Sequence, residues 1–341
     1  MRALSGFRGI VLVLAVLAVA AIGGYGYYWF SMAAKLREGL TPWAEAERAK
    51  GYVIQWDQVE LGGFPGAFRF RFTKPSFGAQ RPLPVTLDAP SLVVSASPWN
   101  LHHWQLAATE GARLAGPLGV IGVDLGRLEA STGEGVNETI VLEIAASTLD
   151  GIGLAQGTHI ANATAHIALP ARPPASHSDS ALDAALQLTE VKLPASVPGF
   201  GDTLAELAAS VQLKGALPAG SFEEALTHWR DEGGTIELKE FRLRWGGLLV
   251  DASGTLALDA ELQPEGALSA IITGQDAAVD LAVTAGTLQP QDAGIVKAVL
   301  GVLAKPGPSG EKAITVPLTL QQGRLYLGPA ALGQVPRINW Q

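Results

Sequence analysis

The sequence predicts a mainly β chain, a β-rich α+β fold. An N-terminal transmembrane helix is followed by a curved antiparallel sheet or pair of sheets with a few short helices. Three observations predict it. Between Arg8 and Lys35 there is no charge, and Gly9 through Phe30 is almost continuously apolar. Beyond that run, short segments alternate apolar and polar residues, the period of a strand with one buried face. Finally, 40 Gly and 21 Pro divide the 341 residues into short elements with many turns.

As a helix, the apolar run of about 22 residues would cross a hydrocarbon core of roughly 30 Å. Arg2, Arg8 and the α-amino group precede it, whereas Lys35 and Arg37 follow it and are partly offset by Glu38. Positive charge favours the cytoplasmic side, so the tail is expected to stay inside and the large C-terminal part to cross. The run ends in Tyr25-Gly26-Tyr27-Tyr28-Trp29-Phe30, a cluster suited to a bilayer interface. Ala18-Val19-Ala20 is an acceptable signal-peptidase site, but cleavage there would leave a strongly apolar and aromatic soluble terminus. The absence of cysteine excludes disulfides and a lipidated N-terminal cysteine. The expected setting is a bacterial inner membrane, single-pass, with the N-terminus cytoplasmic and the rest periplasmic. The corresponding division is 1–30 as cytoplasmic tail and anchor, 31–51 as a juxtamembrane helical segment, and 52–341 as the β-rich domain.

Beyond the anchor, Thr41-Pro42 reads as a helix start, Thr as N-cap and Pro at the first position, with the helix running to Lys50 and stopping at Gly51. Phe68 to Thr73 alternates strictly and places Phe68, Phe70 and Phe72 on one face, Arg69 and Arg71 on the other. Gly62-Gly63-Phe64-Pro65-Gly66 is a tight turn entering that strand. The segment 171–180, with Arg172-Pro173-Pro174, reads as an exposed loop that either divides two subdomains or forms one long insertion.

Further on, Leu204 to Ser210 is a short helix candidate, and Ser221-Phe222-Glu223-Glu224 is a capping box opening a helix that ends at Gly233. From Ile236 to Trp245 the alternation slips near Lys239-Glu240, which a β-bulge would reconcile. Leu256, Leu258, Ala260 and Leu262 form an apolar face opposed by Thr255, Ala257, Asp259 and Glu261. Asp276 to Ala285 reads as helix or strand, whereas Pro290 to Ala304 has a helical stripe at Ile295, Val299 and Leu303. Ile314, Val316, Leu318 and Leu320 read as a strand that Pro317 pushes toward an edge. Gly254-Thr-Leu-Ala-Leu recurs as Gly323-Arg-Leu-Tyr-Leu, a weak repeat in which each Gly would supply a turn or bulge.

Composition narrows function. Without Arg2 and Arg8 the chain keeps 22 basic against 32 acidic residues, about −10, which disfavours nucleic acid as a partner. Charged residues are 16% of the chain and hydrophobic residues 48%, more apolar than a typical soluble domain. His102 and His103 are adjacent, and His159 and His166 are seven apart; neither spacing suits one metal ion, so no metal site or cofactor is expected. No nucleophile elbow, zinc-helix motif or phosphate loop is present, and carboxylate neighbours such as Asp57 and Glu60 or Asp231 and Glu232 read as solvated. No catalytic residue is nominated.

Trp56 through Gly62-Gly63-Phe64-Pro65, the Pro98-Trp99-Asn100-Leu101 segment, and Gly254-x-Leu-x-Leu-Asp259 with Leu262-Gln263-Pro264-Glu265-Gly266 resemble one uncharacterised proteobacterial family. The ending Gly323 to Pro329 with Leu332-Gly333 and Pro336 does the same. This is domain-of-unknown-function family 2125. The resemblance implies an alphaproteobacterial membrane-anchored protein, and it brings no catalytic residues. In architecture the chain is also distantly similar to AsmA-type envelope proteins, whose curved sheets handle phospholipid, although fold does not imply function.

The function expected is a non-enzymatic envelope protein that binds or shelters lipid acyl chains in an apolar β-sheet groove, with membrane lipids as partners. Candidate lipid-facing residues are Phe68, Phe70, Phe72, Trp56, Leu256, Leu258 and Leu262. The alternatives are a structural or protein-interaction module of the envelope, with an envelope protein as partner, and an enzyme whose site is dispersed.

Overall fold

The computed structural model describes residues 3–79, 85–108, 110–115, 122–125, 127–133, 138–150, 157–218, 222–284, 288–306, 312–327, 330–335 and 337–338. The chain is mainly β, with an N-terminal helix and few others. Helix α1 (Ala3–Ala49) runs unbroken for 47 residues with Pro42 inside it. Thr41 is therefore no helix start. Pro42 removes one intrahelical hydrogen bond, to the carbonyl of Glu38, but Glu38 is exposed and water can take over that carbonyl. The helix ends at Gly51, which has φ +97°.

Strands β1 (Tyr52–Gln55), β2 (Gln58–Gly62), β3 (Phe68–Thr73), β4 (Ser76–Ala79) and β5 (Val85–Asp88) come next. They are followed by β6 (Ser91–Ser97), β7 (Asn100–Ala108), β8 (Ala112–Ala115), β9 (Gly122–Leu125), β10 (Arg127–Gly133) and β11 (Glu138–Asp150). Hydrogen bonding sorts them into two antiparallel leaves. One runs β2–β3–β6–β7–β10, the other β1–β4–β5–β8–β9. Both join β11 along one edge: β10 pairs with Thr139 to Ala145, and β9 with Thr148 to Asp150. Between these stretches Ala146 takes φ +52°, and the regular pairing is interrupted where the leaves part. The cluster between the leaves contains Phe70, Phe72 and Leu92 from one side and Ala112 from the other.

The other edge of β11 continues into a meander of long strands. Strands β12 (Thr158–Leu169), β13 (Ser180–Val197), β14 (Gly201–Lys214), β15 (Thr235–Trp245), β16 (Leu248–Leu258) and β17 (Pro264–Thr273) pair in sequence order, all antiparallel. The loop that includes 171–179 is exposed except at Pro174 and links β12 to β13. The interruption at Ala146 recurs opposite Ala161, Glu190 and Ala205, where the regular pairing of β11 to β14 breaks at one level. Glu190 has φ +53° there, so one crease crosses four strands.

Helix α2 (Phe222–Asp231) lies between β14 and β15 and packs Leu226 and Trp229 on Leu258 and Leu262. Ser221, the expected cap, lies outside the described residues. Helices α3 (Gln275–Thr284) and α4 (Pro290–Leu303) follow β17, resolving the ambiguity at Asp276 in favour of a helix. Then come β18 (Lys305–Pro306), β19 (Lys312–Gln321), β20 (Arg324–Leu327) and β21 (Ala330–Gln334).

The bulge at Lys239-Glu240 is present: β15 shifts register between Leu238 and Phe241 against β16, and at Ser210/Val211 against β14. Three other expectations are corrected. Leu204 to Ser210 is part of β14; its small and polar residues pair on both sides, and sheet context overrides helix propensity. Pro317 sits within β19 opposite Ser269 of β17. Among the described residues the second edge of β19 is paired at 312–313 and 318–321 only, so Pro317 lies on a locally unpaired stretch of an otherwise interior strand. The two Gly-led copies are not equivalent: Gly254 is mid-strand, where a Cβ would come 2.3 Å from the Ala267 carbonyl oxygen, whereas Gly323 is in the β19–β20 turn.

Candidate functional site: an apolar groove under the N-terminal helix

The strict alternation in β3 buries its three Phe side chains and exposes Arg69 and Arg71. The same buried face continues across β6 and β7 through Leu92, Val94, Trp104 and Leu106. Helix α1 crosses above, presenting Leu36 and Leu40 one turn apart, with Gly39 and Trp43 beside them. Leu36 and Leu40 pack against the Phe70, Phe72 and Leu92 cluster, but helix and sheet do not close fully on each other here. A groove of about 640 Å³ remains, floored by Phe70, Phe72 and Leu92 and bounded by Phe77 of the second leaf. That volume suits one small-molecule or acyl ligand.

Two features keep the groove open. Gly39 has no side chain on the helix face above the floor, and a Cβ built there meets nothing within 4 Å. Among the described residues Lys35 is the one charged side chain in the lining. It is exposed, so its ammonium reaches solvent at the rim while its stem lies against the groove.

The helix is fastened on either side of the groove. Toward its N-terminal end Trp29 stacks on Phe68 with ring centroids 5.2 Å apart. There the Tyr25 hydroxyl donates to the Pro65 carbonyl, and that of Tyr28 to the Pro98 carbonyl at 3.1 Å. At the other end Arg48 Nε donates to the Ile54 carbonyl at 2.7 Å, and its guanidinium lies 5.7 Å from the Trp56 ring centroid.

The seven expected lipid-facing residues are thus distributed over three environments. Phe70 and Phe72 floor the groove. Trp56 stands behind Phe72, edge to face at 5.4 Å, and supports that wall. Phe68 is fully buried beneath Trp29 in a closed helix–sheet contact. Leu258 and Leu262 are sealed beneath α2, and Leu256 borders a separate depression of about 320 Å³ on β16, β17 and β19. The structure therefore does not bring the Phe and Leu sets together. Lys35, Leu36, Gly39, Leu40 and Trp43 were missed in the sequence, although their i, i+4 spacing formed a legible stripe.

His102 is exposed and His103 half-buried beside it, while His159 and His166 are both exposed on β12. Among the described residues no three metal-ligating side chains converge. Nor, among the described residues, is any helix long and apolar enough to cross a membrane. The side chains of 3–16, 18 and 19 lie outside the described residues, and much of the expected span from Gly9 to Phe30 falls among them.

No solved structure and no curated protein matches the chain, so the resemblance to AsmA-type proteins gains no support. A family model does match, over residues 29–336, from Trp29 on the docked part of α1 to the end of the β-rich region. The chain belongs to that family, DUF2125, described as an uncharacterized protein conserved in bacteria.

Proposed function

We propose that this protein is a membrane-anchored component of the bacterial envelope, periplasmic beyond its helix, that shelters lipid acyl chains in the groove beneath α1. The observation that carries the reading is the groove itself: about 640 Å³, walled by aliphatic and aromatic side chains, with Lys35 at its rim. Each buried methylene would contribute about 0.8 kcal/mol, so an apolar wall binds a chain without any special polar motif. The reading is non-enzymatic and assigns no catalytic residue, metal or cofactor. The uncharged stretch from Gly9 to Phe30 supports the anchor, and the basic residues before it support a cytoplasmic N-terminus.

The test uses the full chain, because Trp29 and Tyr25 are packed against the β region. Purified in detergent and released for native mass spectrometry, the protein is expected to carry lipid and to take up a fluorescent fatty acid. Gly39→Leu projects into open groove space and is expected to abolish that uptake while leaving the fold intact. Uptake unchanged by Gly39→Leu would remove the groove as the site, and an empty wild-type protein would remove lipid binding altogether. Recovery of one stoichiometric protein partner instead would favour an interaction module; Ile295 and Val302 on α4, both exposed, are the observation behind that second reading.

A further inference from the structure

Where α1 meets the β region, the aromatic residues are not confined to the helix. The turn between β2 and β3 brings Phe64 against Phe30, stacked at 5.4 Å, and near Tyr25 at 6.3 Å. The turn between β6 and β7 places Trp99 on Tyr25, stacked at 5.0 Å. Both turns are held to the helix by the hydrogen bonds from Tyr25 to Pro65 and Tyr28 to Pro98. The first turn is also rigid in itself: Gly63 has φ +99°, a Cβ there would lie 2.5 Å from the Ala67 carbonyl oxygen, and the Ala67 amide donates to the Gly63 carbonyl at 2.9 Å. Yet the rings face outward. Trp99 is 74% exposed, Tyr27 80%, Phe30 62% and Phe64 49%.

Helix length gives this patch a consequence. The part of the uncharged run N-terminal to the contacts, Gly9 to Gly24, rises about 24 Å at 1.5 Å per residue. That is about 6 Å short of a hydrocarbon core of roughly 30 Å. A helix that crosses fully must therefore carry Tyr25 to Phe30 into the bilayer boundary, and the two turns fastened to those residues go with it. Tyr and Trp, apolar rings with one polar end, settle at that depth, and the fully apolar rings of Phe30 and Phe64 beside them can enter the hydrocarbon edge.

We propose that Phe64 and Trp99, with Tyr25, Tyr27 and Phe30, form an aromatic collar that seats the β region directly on the lipid surface. The proposal rests on the anchor reading and adds a second membrane contact made by the β region itself. Seated this way, the groove opens close to the bilayer, because Lys35 follows Phe30 by little more than one helical turn.

Because the natural chain has no cysteine, single-site labelling is clean. Full-length Phe64→Cys, Trp99→Cys and, as control, Asp251→Cys at an exposed position of β16 are labelled with a polarity-sensitive nitrobenzoxadiazole dye and reconstituted into phosphatidylethanolamine/phosphatidylglycerol vesicles. Probes at 64 and 99 are expected to shift to the blue and to lose emission to lipids spin-labelled near the head group; the probe at 251 should do neither. Brominated lipid should also quench wild-type tryptophan emission more than that of Trp99→Phe, a comparison that keeps an aromatic ring in place. If the protein floats with vesicles while 64 and 99 report water, the collar is wrong and the anchor stands. Probes that are dry but unquenched by lipid would mean a protein covers the patch, which also overturns the proposal. Failure of the wild-type chain to float with vesicles overturns collar and anchor together.

Discussion

The two helix-covered parts of the sheet differ in how completely they close. Over β14 to β17, helix α2 contributes Leu226 and Trp229, and Trp229 is 1% exposed with its Nε1 donating to the Lys214 carbonyl at 2.7 Å. The neighbouring backbone is shaped around that ring: a Cβ on Gly234 would fall 2.2 Å from it. Over β3, β6 and β7, helix α1 instead places Gly39 and Lys35 where a large side chain would be needed, and the space stays open. Both sites have an aromatic-rich helix above an alternating sheet. One buries its ring almost completely, and the other has bulk on the floor and a gap in the roof. A closed core stabilises, whereas an open apolar groove forfeits dispersion contacts along its lining.

The largest effect is expected at the closed site. Trp229→Ala should destabilise the protein by about 3–5 kcal/mol, seen as a drop in the urea midpoint, because the ring leaves a cavity and the Lys214 carbonyl loses its donor. Phe70→Ala should cost less than Trp229→Ala, about 3 kcal/mol, since one side of the Phe70 ring already faces open space; an equal loss would mean the groove is closed in solution. Gly234→Ala should cost about 1–3 kcal/mol through overpacking against Trp229. Gly39→Leu, the counterpart in the open site, should stabilise α1 by up to about 1 kcal/mol as thermal unfolding reads it, while removing fatty-acid uptake.

The smallest effect is local and depends on pH. The Asp179 carboxylate accepts the Ala175 and Ser176 amides at 3.0 and 2.9 Å, and these bonds hold it below its ordinary range. Its folded form therefore favours the ionised state. The loop gains order above the unfolded carboxylate range and loses it as pH falls through the depressed folded value. Amide chemical shifts of Ala175 and Ser176 should titrate together below the normal aspartate range, and Asp179→Asn should abolish that step.

Much of the fold could be read from local pattern. The Phe68/Phe70/Phe72 alternation, the bulge at Lys239-Glu240 and the α4 stripe were legible because each depends on residues within one strand or helix and its immediate period. Expectations failed where neighbours decide. Leu204 to Ser210 has helix-compatible composition but lies between two long strands, and Pro317 looks like an edge marker until the partial pairing of β19 is known. The candidate site was half legible. Its floor was read from β3, whereas the roof was missed because the α1 stripe has meaning only when something lies beneath it. Leu258 and Leu262 look as lipid-facing in sequence as Phe70, and only α2 above them distinguishes core from groove.

By itself, then, the sequence determined the mainly β class, an N-terminal helix over the uncharged run, and the faces of individual strands, whereas the continuation of that helix through Pro42 to Ala49 was seen only in the structure. Those depend on short-range periodicity and on the free energy of apolar surface, which act through adjacent residues. The tertiary structure decided the two leaves forked at Ala146, the sealing of one apolar face by Trp229, and the opening left in another by Gly39. These depend on which surfaces meet across distant parts of the chain, and an apolar side chain reads the same whether it meets a partner or a gap.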